Sequence, residues 1–423
     1  MNVDIFSLAF FWTLYAIAAT AFLLLALFAL RHFLRWANLE PLSLRSQTIR
    51  VTVPKNLDDE EERKRPLKDK LAAAETMFST IAGLAPQKGV KAFLYGRNDN
   101  IAFEIVADHE GLVTFFVTVP HHVVSYAQQQ ILAQYPDAHL EVVEDYNIFS
   151  PNGHIVAGYL LFKKPYLFPI NTYIDKEVDY LNALTNVLGK LQPTEGAGIQ
   201  FLMRSTKKRW QKWGTKLARE MQKGKPLKKA LRATDNNPLK IALRGMGEAR
   251  NFVESKTPES QQPNRSPYQL SPMEQEMVKR LETKSSKAGF EVNIRVVVSA
   301  KEKSTAGQNL RRILDTFSQY GGYEYVNGFR SVAKGESKKL IHQFIYRAFD
   351  PRQAMILNTE EMATLYHFPL ATTETPNIRW LMARKAPPPV NLPKDGVILG
   401  KVTYRGNGVK NCELQWKLGN LKR

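Results

Sequence analysis

The pattern of apolar and polar positions divides the chain sharply. From Ile5 to Leu30 no charged residue interrupts the sequence. At a helical rise of ~1.5 Å per residue, that run makes about 39 Å of helix, enough to cross a ~30 Å hydrocarbon core with some tilt. Phe6, Phe10, Phe11, Trp12 and Tyr15 gather near its outer end, and Trp36 lies just past its inner end, the distribution of an interfacial aromatic belt. A cleaved signal peptide needs a basic leader, a shorter apolar core and a small-residue cleavage site. Here the first thirty residues carry only Asp4, and the arginines come afterwards at 31, 35, 45 and 50. The pattern therefore predicts a retained transmembrane anchor over residues 1–36. The positive-inside rule places its N-terminus outside and everything after Arg31 in the cytoplasm, at the cell membrane.

Behind the anchor the periodicity changes between helix and strand. Leu57 to Lys70 is a charged connector or helix start, acidic and then basic. Leu71 to Leu84 spaces its apolar residues as a helix does. Ile101 to Ala107 and Leu112 to Val119 read as strands joined at Asp108-His109-Glu110-Gly111, where Gly111 supplies a positive φ. His121 to Gln134 reads as a helix closed by Pro136, and Leu140 to Val143 as a strand. This order is most of a split β-α-β unit of the ferredoxin-like kind.

The pattern recurs. Ile155 to Phe162, Gly198 to Met203, Phe290 to Ser299 and Leu340 to Ala348 read as strands. Val178 to Leu191, Lys207 to Lys223, Met273 to Lys284 and Ser304 to Gln319 read as helices. The expected fold class is α+β: an N-terminal transmembrane helix, then two ferredoxin-like α/β modules with a disordered basic and Pro-rich linker. The first module spans 45–150. The second is split into 151–223 and 273–385 by a linker at 224–272, where Ser255 to Pro272 holds four prolines among Ser, Gln and Asn. Ala386 to Pro393, APPPVNLP, is a stiff connector. It opens a tail at 386–423 in which Gly396 to Arg405 has room for a strand or two.

Composition sharpens this picture in two places. The chain has 423 residues and 44% hydrophobic residues, enough for a sizeable core in two or three domains. Its one cysteine, Cys412, excludes a disulfide framework and a cysteine zinc site. The net charge is +19, which implies an anionic partner, and the surplus is concentrated: Lys207 to Lys256 holds fifteen Lys/Arg against four Asp/Glu. The candidate nucleic-acid or anionic-lipid residues are Arg204, Lys207, Lys208, Arg209, Trp210, Lys212, Trp213, Lys216, Arg219, Lys225, Lys228, Lys229 and Arg232. Lysines and arginines neutralise phosphates, and indoles stack on bases or sit among headgroups. The alternative is that both tryptophans pack their helix onto the body while the charges face water. Charge alone does not separate DNA from lipid.

No catalytic constellation emerges from the sequence. The phosphate-loop pattern G-x-x-x-x-G-K-[ST] is absent, since Gly224-Lys225 is followed by Pro226. There is no G-x-S-x-G and no H-E-x-x-H. His121 and His122 are adjacent and point differently on a helix, so they read as helix-start or surface residues, not as metal ligands. Glu360 and Glu361 sit in the first turn of a helix that Thr359 caps, a structural arrangement. No cofactor and no metal is expected.

Several segments in order resemble a known family. HVVSYAQQQILAQYPDAHLEVVEDY (122–146), PINTYIDKEVDYLNALTNVLGKL (169–191), IQFLMR, KKRWQKWG, ILNTEEMATLYHFP (356–369), then TPNIRWLMARKAPPPVNLP and GVILGKVTYRG are similar to the membrane-proximal region of type IV secretion- and conjugation-like DNA-translocation ATPases of bacteria. The resemblance spans roughly residues 45 to 406. It implies a non-catalytic, membrane-anchored component of a DNA-translocation machine, with the lipid bilayer, a separate translocation ATPase, DNA and further copies of itself in a ring as partners. The family's phosphate loop and motor are not matched, so the resemblance carries over no ATP site. Two readings remain open: a motor on another polypeptide, or a truncated relative. Outside the resemblance, the alternative function is a membrane-surface scaffold whose basic patch binds anionic lipid.

Overall fold

The computed structural model describes residues 2–37, 45–55, 64–206, 209–234, 269–322 and 325–382, and the backbone of 398–404 and 407–413. It is a mixed structure of helices and antiparallel sheet behind one long apolar helix. That helix, α1 (Asn2–Ala37), contains a 27-residue stretch, Ala9–Arg35, of mean hydropathy 2.3, none of it buried in the body. It is long and apolar enough to span a membrane.

The first half of the body runs β1 (Ser46–Thr52), α2 (Leu67–Ala82), α3 (Val90–Tyr95), β2 (Ile101–Ala107), β3 (Val113–Pro120), α4 (Val124–Gln134) and β4 (His139–Val143). The expected hairpin joins β2 to β3, and Gly111 takes φ +76° in its turn. The second half runs β5 (His154–Phe162), α5 (Leu181–Leu188), β6 (Gly196–Ser205), α6 (Arg209–Gln222), α7 (Leu227–Thr234), α8 (Pro272–Ser286), β7 (Gly289–Ala300), α9 (Lys303–Thr316), β8 (Phe329–Gly335), α10 (Lys338–Ile345), β9 (Met355–Asn358) and α11 (Thr359–Leu365). A separate hairpin pairs β10 (Ile398–Tyr404) with β11 (Asn407–Glu413).

The two halves share one sheet. Its order is β4-β1-β3-β2-β6-β7-β5-β8, with β9 added to β7, and all these strand pairs are antiparallel. Strands β2 and β6 form the seam, paired from Ile101↔Met203 to Ala107↔Ala197.

Three sequence expectations need correction. Leu340–Ala348, expected as a strand, is mostly α10. Its buried residues Leu340 and Phe344 are four apart, the helical spacing, and not alternate. The stretch 224–272, expected as linker throughout, contains α7 and the start of α8, while 235–268 lies outside the described residues. The cap of α11 is Asn358 and not Thr359. Asn358 accepts from the Glu361 backbone while the Glu361 carboxylate accepts from the Asn358 N–H, so the cap lies one residue earlier than expected and forms a complete capping box, which a cap at Thr359 would not, since Met362 stands three residues after it.

Register explains the core. On one face, Ile49, Val117, Phe103, Phe201 and Ile294 align across five strands. Helices α2, α4, α5, α9 and α11 cover this face, and Phe78, Phe103, Phe201, Tyr366 and Phe290 are buried in it. The neighbouring row points to the other face and is polar except at Phe116: Glu141, Arg50, Phe116, Glu104, Gln200, Arg295 and Tyr159. Helix α10 and the segments near 145–149 and 346–353 cover that side.

Candidate functional site

The basic residues singled out in the sequence fall mostly on one small helical subdomain. Helix α6 buries Trp210, Gly214, Leu217, Ala218 and Met221, a stripe at helical spacing. With Ala230 of α7 and Met277, Val278 and Leu281 of α8, Leu217, Ala218 and Met221 of this stripe close a second hydrophobic cluster on Leu167 and Phe168. Helices α6 and α8 approach closely because position 214 has no side chain: a Cβ there would lie 1.9 Å from the Ser285 Oγ.

The same period that buries this stripe turns the charges outward. Arg209, Lys212, Arg219, Lys225, Lys228, Lys229 and Arg232 are exposed, and Lys216 is half-buried. Part of the charge is neutralised locally. Glu220 lies 2.9 Å from Lys223 and 2.5 Å from Lys225, whose hydrogen bonds hold its carboxyl down to about 2.

The remaining candidates separate from this face. Trp210 is 3% exposed and packs against Gly289, so it is a core residue and does not present its ring to a ligand. Trp213 is 37% exposed and stacks on Tyr166 at 6.2 Å, leaving part of the indole accessible. Arg204 projects from the polar side of β6. It bonds Glu291 on the adjacent strand at 2.7 Å, and its guanidinium lies 3.8 Å over the Phe349 ring. Burial lowers its pKa and Glu291 opposes that effect. Lys207 and Lys208 lie outside the described residues.

Sequence reasoning missed two buried polar networks. In the first, Glu104, Gln200 and Arg295 stand side by side on β2, β6 and β7. Arg347 reaches into this row and forks onto Glu104, Nε to Oε1 and Nη2 to Oε2, both at 3.0 Å. It also grips Asp145 at 2.8 and 2.7 Å. Gln200 Nε2 donates to Glu104 Oε1 at 2.8 Å and Thr118 donates to Oε2 at 3.2 Å, so both carboxylate oxygens are engaged. Arg295, fully buried, donates to Asn293 Oδ1 and to the carbonyls of Gln343 and Ala348. Burial pushes its pKa down to about 10, against the pull of Asp350. The signal was present in the sequence: a lone Glu in IAFEIVA, a lone Gln in GIQFLM, and an Asn and an Arg two apart in VNIRVVV break otherwise apolar strands.

In the second network, Lys284 of α8 lies 3.1 Å from Glu361 of α11 with both side chains buried. Burial lowers the Lys284 pKa and raises that of Glu361, and their mutual attraction opposes both shifts. One turn on, Lys287 bridges Glu75 at 2.5 Å and Glu360 at 2.7 Å. The hydroxyls of Tyr173 and Thr172 donate to the same two carboxylates. Glu360 and Glu361, read from sequence as dipole partners of their helix, therefore also tie α2, α8 and α11 together. Such pairs fix register more than they stabilise, because desolvation offsets much of the Coulomb gain.

The third feature is where α1 meets the body. The Arg31 guanidinium lies 4.3 Å over the Phe93 ring of α3, and Arg35 Nη2 donates to the Phe93 carbonyl at 3.2 Å. Arg35 is within electrostatic reach of Arg204, and Arg97 is bonded to Asp99 and to the Ser205 carbonyl. The C-terminal end of α1 thus sits near the C-terminal end of β6. Among the described residues no group of three or more His, Cys, Asp or Glu is arranged to hold a metal ion.

No curated protein matches the chain. One family model, described as a domain of unknown function (DUF8128), matches residues 51–381, from β1 through α11 and beyond, and the chain belongs to that family.

Proposed function

We propose that the chain is a single-pass membrane-anchored, non-catalytic component of a type IV secretion- or conjugation-like DNA-translocation machine. Its body positions a separate ATPase, and the outward face of α6 and α7 contacts DNA. The observation that carries this reading is the segregation of that subdomain. Its apolar stripe is buried, and Arg209, Lys212, Arg219, Lys228 and Lys229 are left pointing to solvent on one small unit. The arginines at 31, 35, 45 and 50, placed just after the apolar run, support an N-terminus outside and a body in the cytoplasm. Two ferredoxin-like modules are part of the proposal. What supports them is that β1 to β4 lie in the order 4-1-3-2 with helices after the first and third strands, and that β6-β7-β5-β8 repeats this strand order, with α6 to α8 inserted between its second and third strands. Further copies arranged as a ring complete the reading.

The test is binding of the full chain, in detergent, to duplex and single-stranded DNA as a function of salt. Each phosphate contact contributes roughly −0.9 (duplex) or −0.7 (single strand) to the slope of log affinity against log salt. Charge reversal at Lys212, Arg219, Lys228 and Lys229 is expected to flatten that slope by about three to four on duplex DNA. An absence of DNA binding at low salt, with liposome binding intact, excludes the DNA role.

The second reading, an anionic-lipid scaffold, has one observation in its favour. Arg35 at the inner end of α1 lies within electrostatic reach of Arg204 at the end of β6, a few residues before α6 begins. The same charge reversals then weaken binding to phosphatidylglycerol vesicles and leave DNA unaffected.

A further inference from the structure

Helix α3 is a poor helix for an aqueous surface. It has six residues, VKAFLY, and none of them is buried in the body. A helix this short does not hold itself together in water, where the nucleus costs more than one or two turns return. Three of its apolar side chains are left outside while Ala92 and Leu94 are half-buried: Val90 is 72% exposed, Phe93 47% and Tyr95 44%. Gly89 at φ +101° and Gly96 at φ +92° bracket it, so the chain leaves the body, makes the helix and returns through two residues suited to that backbone.

Its position explains the exposure. Arg31 is the first charged residue after the apolar run, so it marks the level at which α1 leaves the hydrocarbon. Phe93 lies under the Arg31 guanidinium at 4.3 Å and is bonded to Arg35 through its carbonyl. The headgroup layer is about 5–7 Å deep on each side of a ~30 Å core, which places α3 within it. Aromatic and aliphatic tips beside lysines are the composition that settles there, and Lys88 and Lys91 are both exposed.

We infer that α3 is a second membrane contact: its apolar side chains enter the headgroup layer beside α1, and Lys88 and Lys91 meet anionic lipid phosphates. The inference rests on reading α1 as a membrane span. Two contacts at different points of the body fix its tilt over the bilayer, which one helix does not do alone. This surface is distinct from the basic face of α6 and α7.

The test uses the full chain with Cys412→Ser and one new cysteine carrying an environment-sensitive fluorophore. The chain is reconstituted in phosphatidylcholine vesicles with phosphatidylglycerol, with bromine on the lipids as quencher. Phe22→Cys reports the span, Val90→Cys and Tyr95→Cys report α3, and Ser331→Cys on β8 reports the body. Expected are strong quenching at position 22, several-fold more quenching at 90 and 95 than at 331, and a shallower depth at 90 than at 22. Quenching at 22 with none at 90 or 95 overturns the α3 contact and leaves the span standing, whereas no quenching at any position overturns both. A label at 90 shielded from water but not quenched by lipid places a protein partner there and also overturns the contact. Lys88→Glu with Lys91→Glu is expected to reduce quenching at 90 several-fold in phosphatidylglycerol vesicles. Unchanged quenching overturns the role of the lysines.

Discussion

Arg347→Met tests whether the polar side of the sheet is held as described. Arg347 is 10% exposed in its side chain and Glu104 is 0% exposed, while Asp145 is half exposed. The two halves of the fork are therefore unequal. Losing the Asp145 contact costs about 0–1 kcal/mol, because water replaces it. Losing the Glu104 contact strands a buried carboxylate with only Gln200 and Thr118 as donors, which costs roughly 3–5 kcal/mol. Position 347 adopts φ +48°, and methionine keeps whatever backbone strain arginine has there, so the difference isolates the guanidinium. The full chain in detergent, unfolded by heat and followed by circular dichroism, is expected to lose on the order of 5–10 °C in Tm. Adding Glu104→Gln removes the stranded charge, and the double variant is expected to recover at least half of the loss, a coupling of about 2 kcal/mol. Arg347→Lys should sit between wild type and Met, since an ammonium cannot fork onto both oxygens. A single variant within about 1 kcal/mol of wild type, or a double variant no better than the single, refutes the reasoning.

The two tryptophans of α6 separate packing from binding. Trp210→Ala empties a buried site against Gly289 and is expected to cost roughly 3–5 kcal/mol, read as a fall in urea midpoint. Trp213→Ala, at a half-exposed ring on Tyr166, should cost about 1 kcal/mol and weaken DNA or vesicle binding instead. The acid limb of stability should depend on Asp179. Burial raises its pKa, but the His367 ring at 3.1 Å and the N–H groups of Leu181 and Asn182 outweigh burial and bring it below the ordinary value. With the folded pKa depressed, its contribution is present above the unfolded value of about 4 and is lost as pH falls through the folded one. A pH series of thermal melts on Asp179→Asn should flatten in that acid range. An acid limb identical to wild type contradicts the assignment.

The sequence made the secondary structure largely legible because strands and helices here carry their own periods. The α6 stripe and the β2–β3 hairpin follow from spacing and one glycine. What stayed hidden depends on pairing between distant segments. No local pattern says that β2 pairs with β6, a register that sets Glu104 beside Gln200 and, through β6–β7, beside Arg295. Once that register exists, polar residues scattered over three apolar strands become a row, and Arg347 has somewhere to go. The α10 segment was misread for a related reason: KKLIHQFIYRAF contains enough β-branched and aromatic residues to pass for a strand, and only the burial of Leu340 with Phe344 against the sheet selects the helix. The thirteen candidate binding residues divide on the same ground. Charge count treats Arg204 and Arg209 alike, yet β6 turns Arg204 into a cross-strand pair with Glu291, whereas α6 turns Arg209 outward. Trp210 and Trp213 are three apart on one helix, yet only Trp210 meets the gap left by Gly289. Helix α3 was invisible to periodicity because six residues make less than two turns. Its meaning comes from α1, whose Arg35 is 58 residues earlier in the chain but bonded to the Phe93 carbonyl in space. Helix α1, read from the sequence as an anchor with a defined orientation, thereby acquires a structural contact that no local pattern shows: Arg31 and Arg35 hold Phe93, and with it the exposed apolar edge of the body, against its C-terminal end.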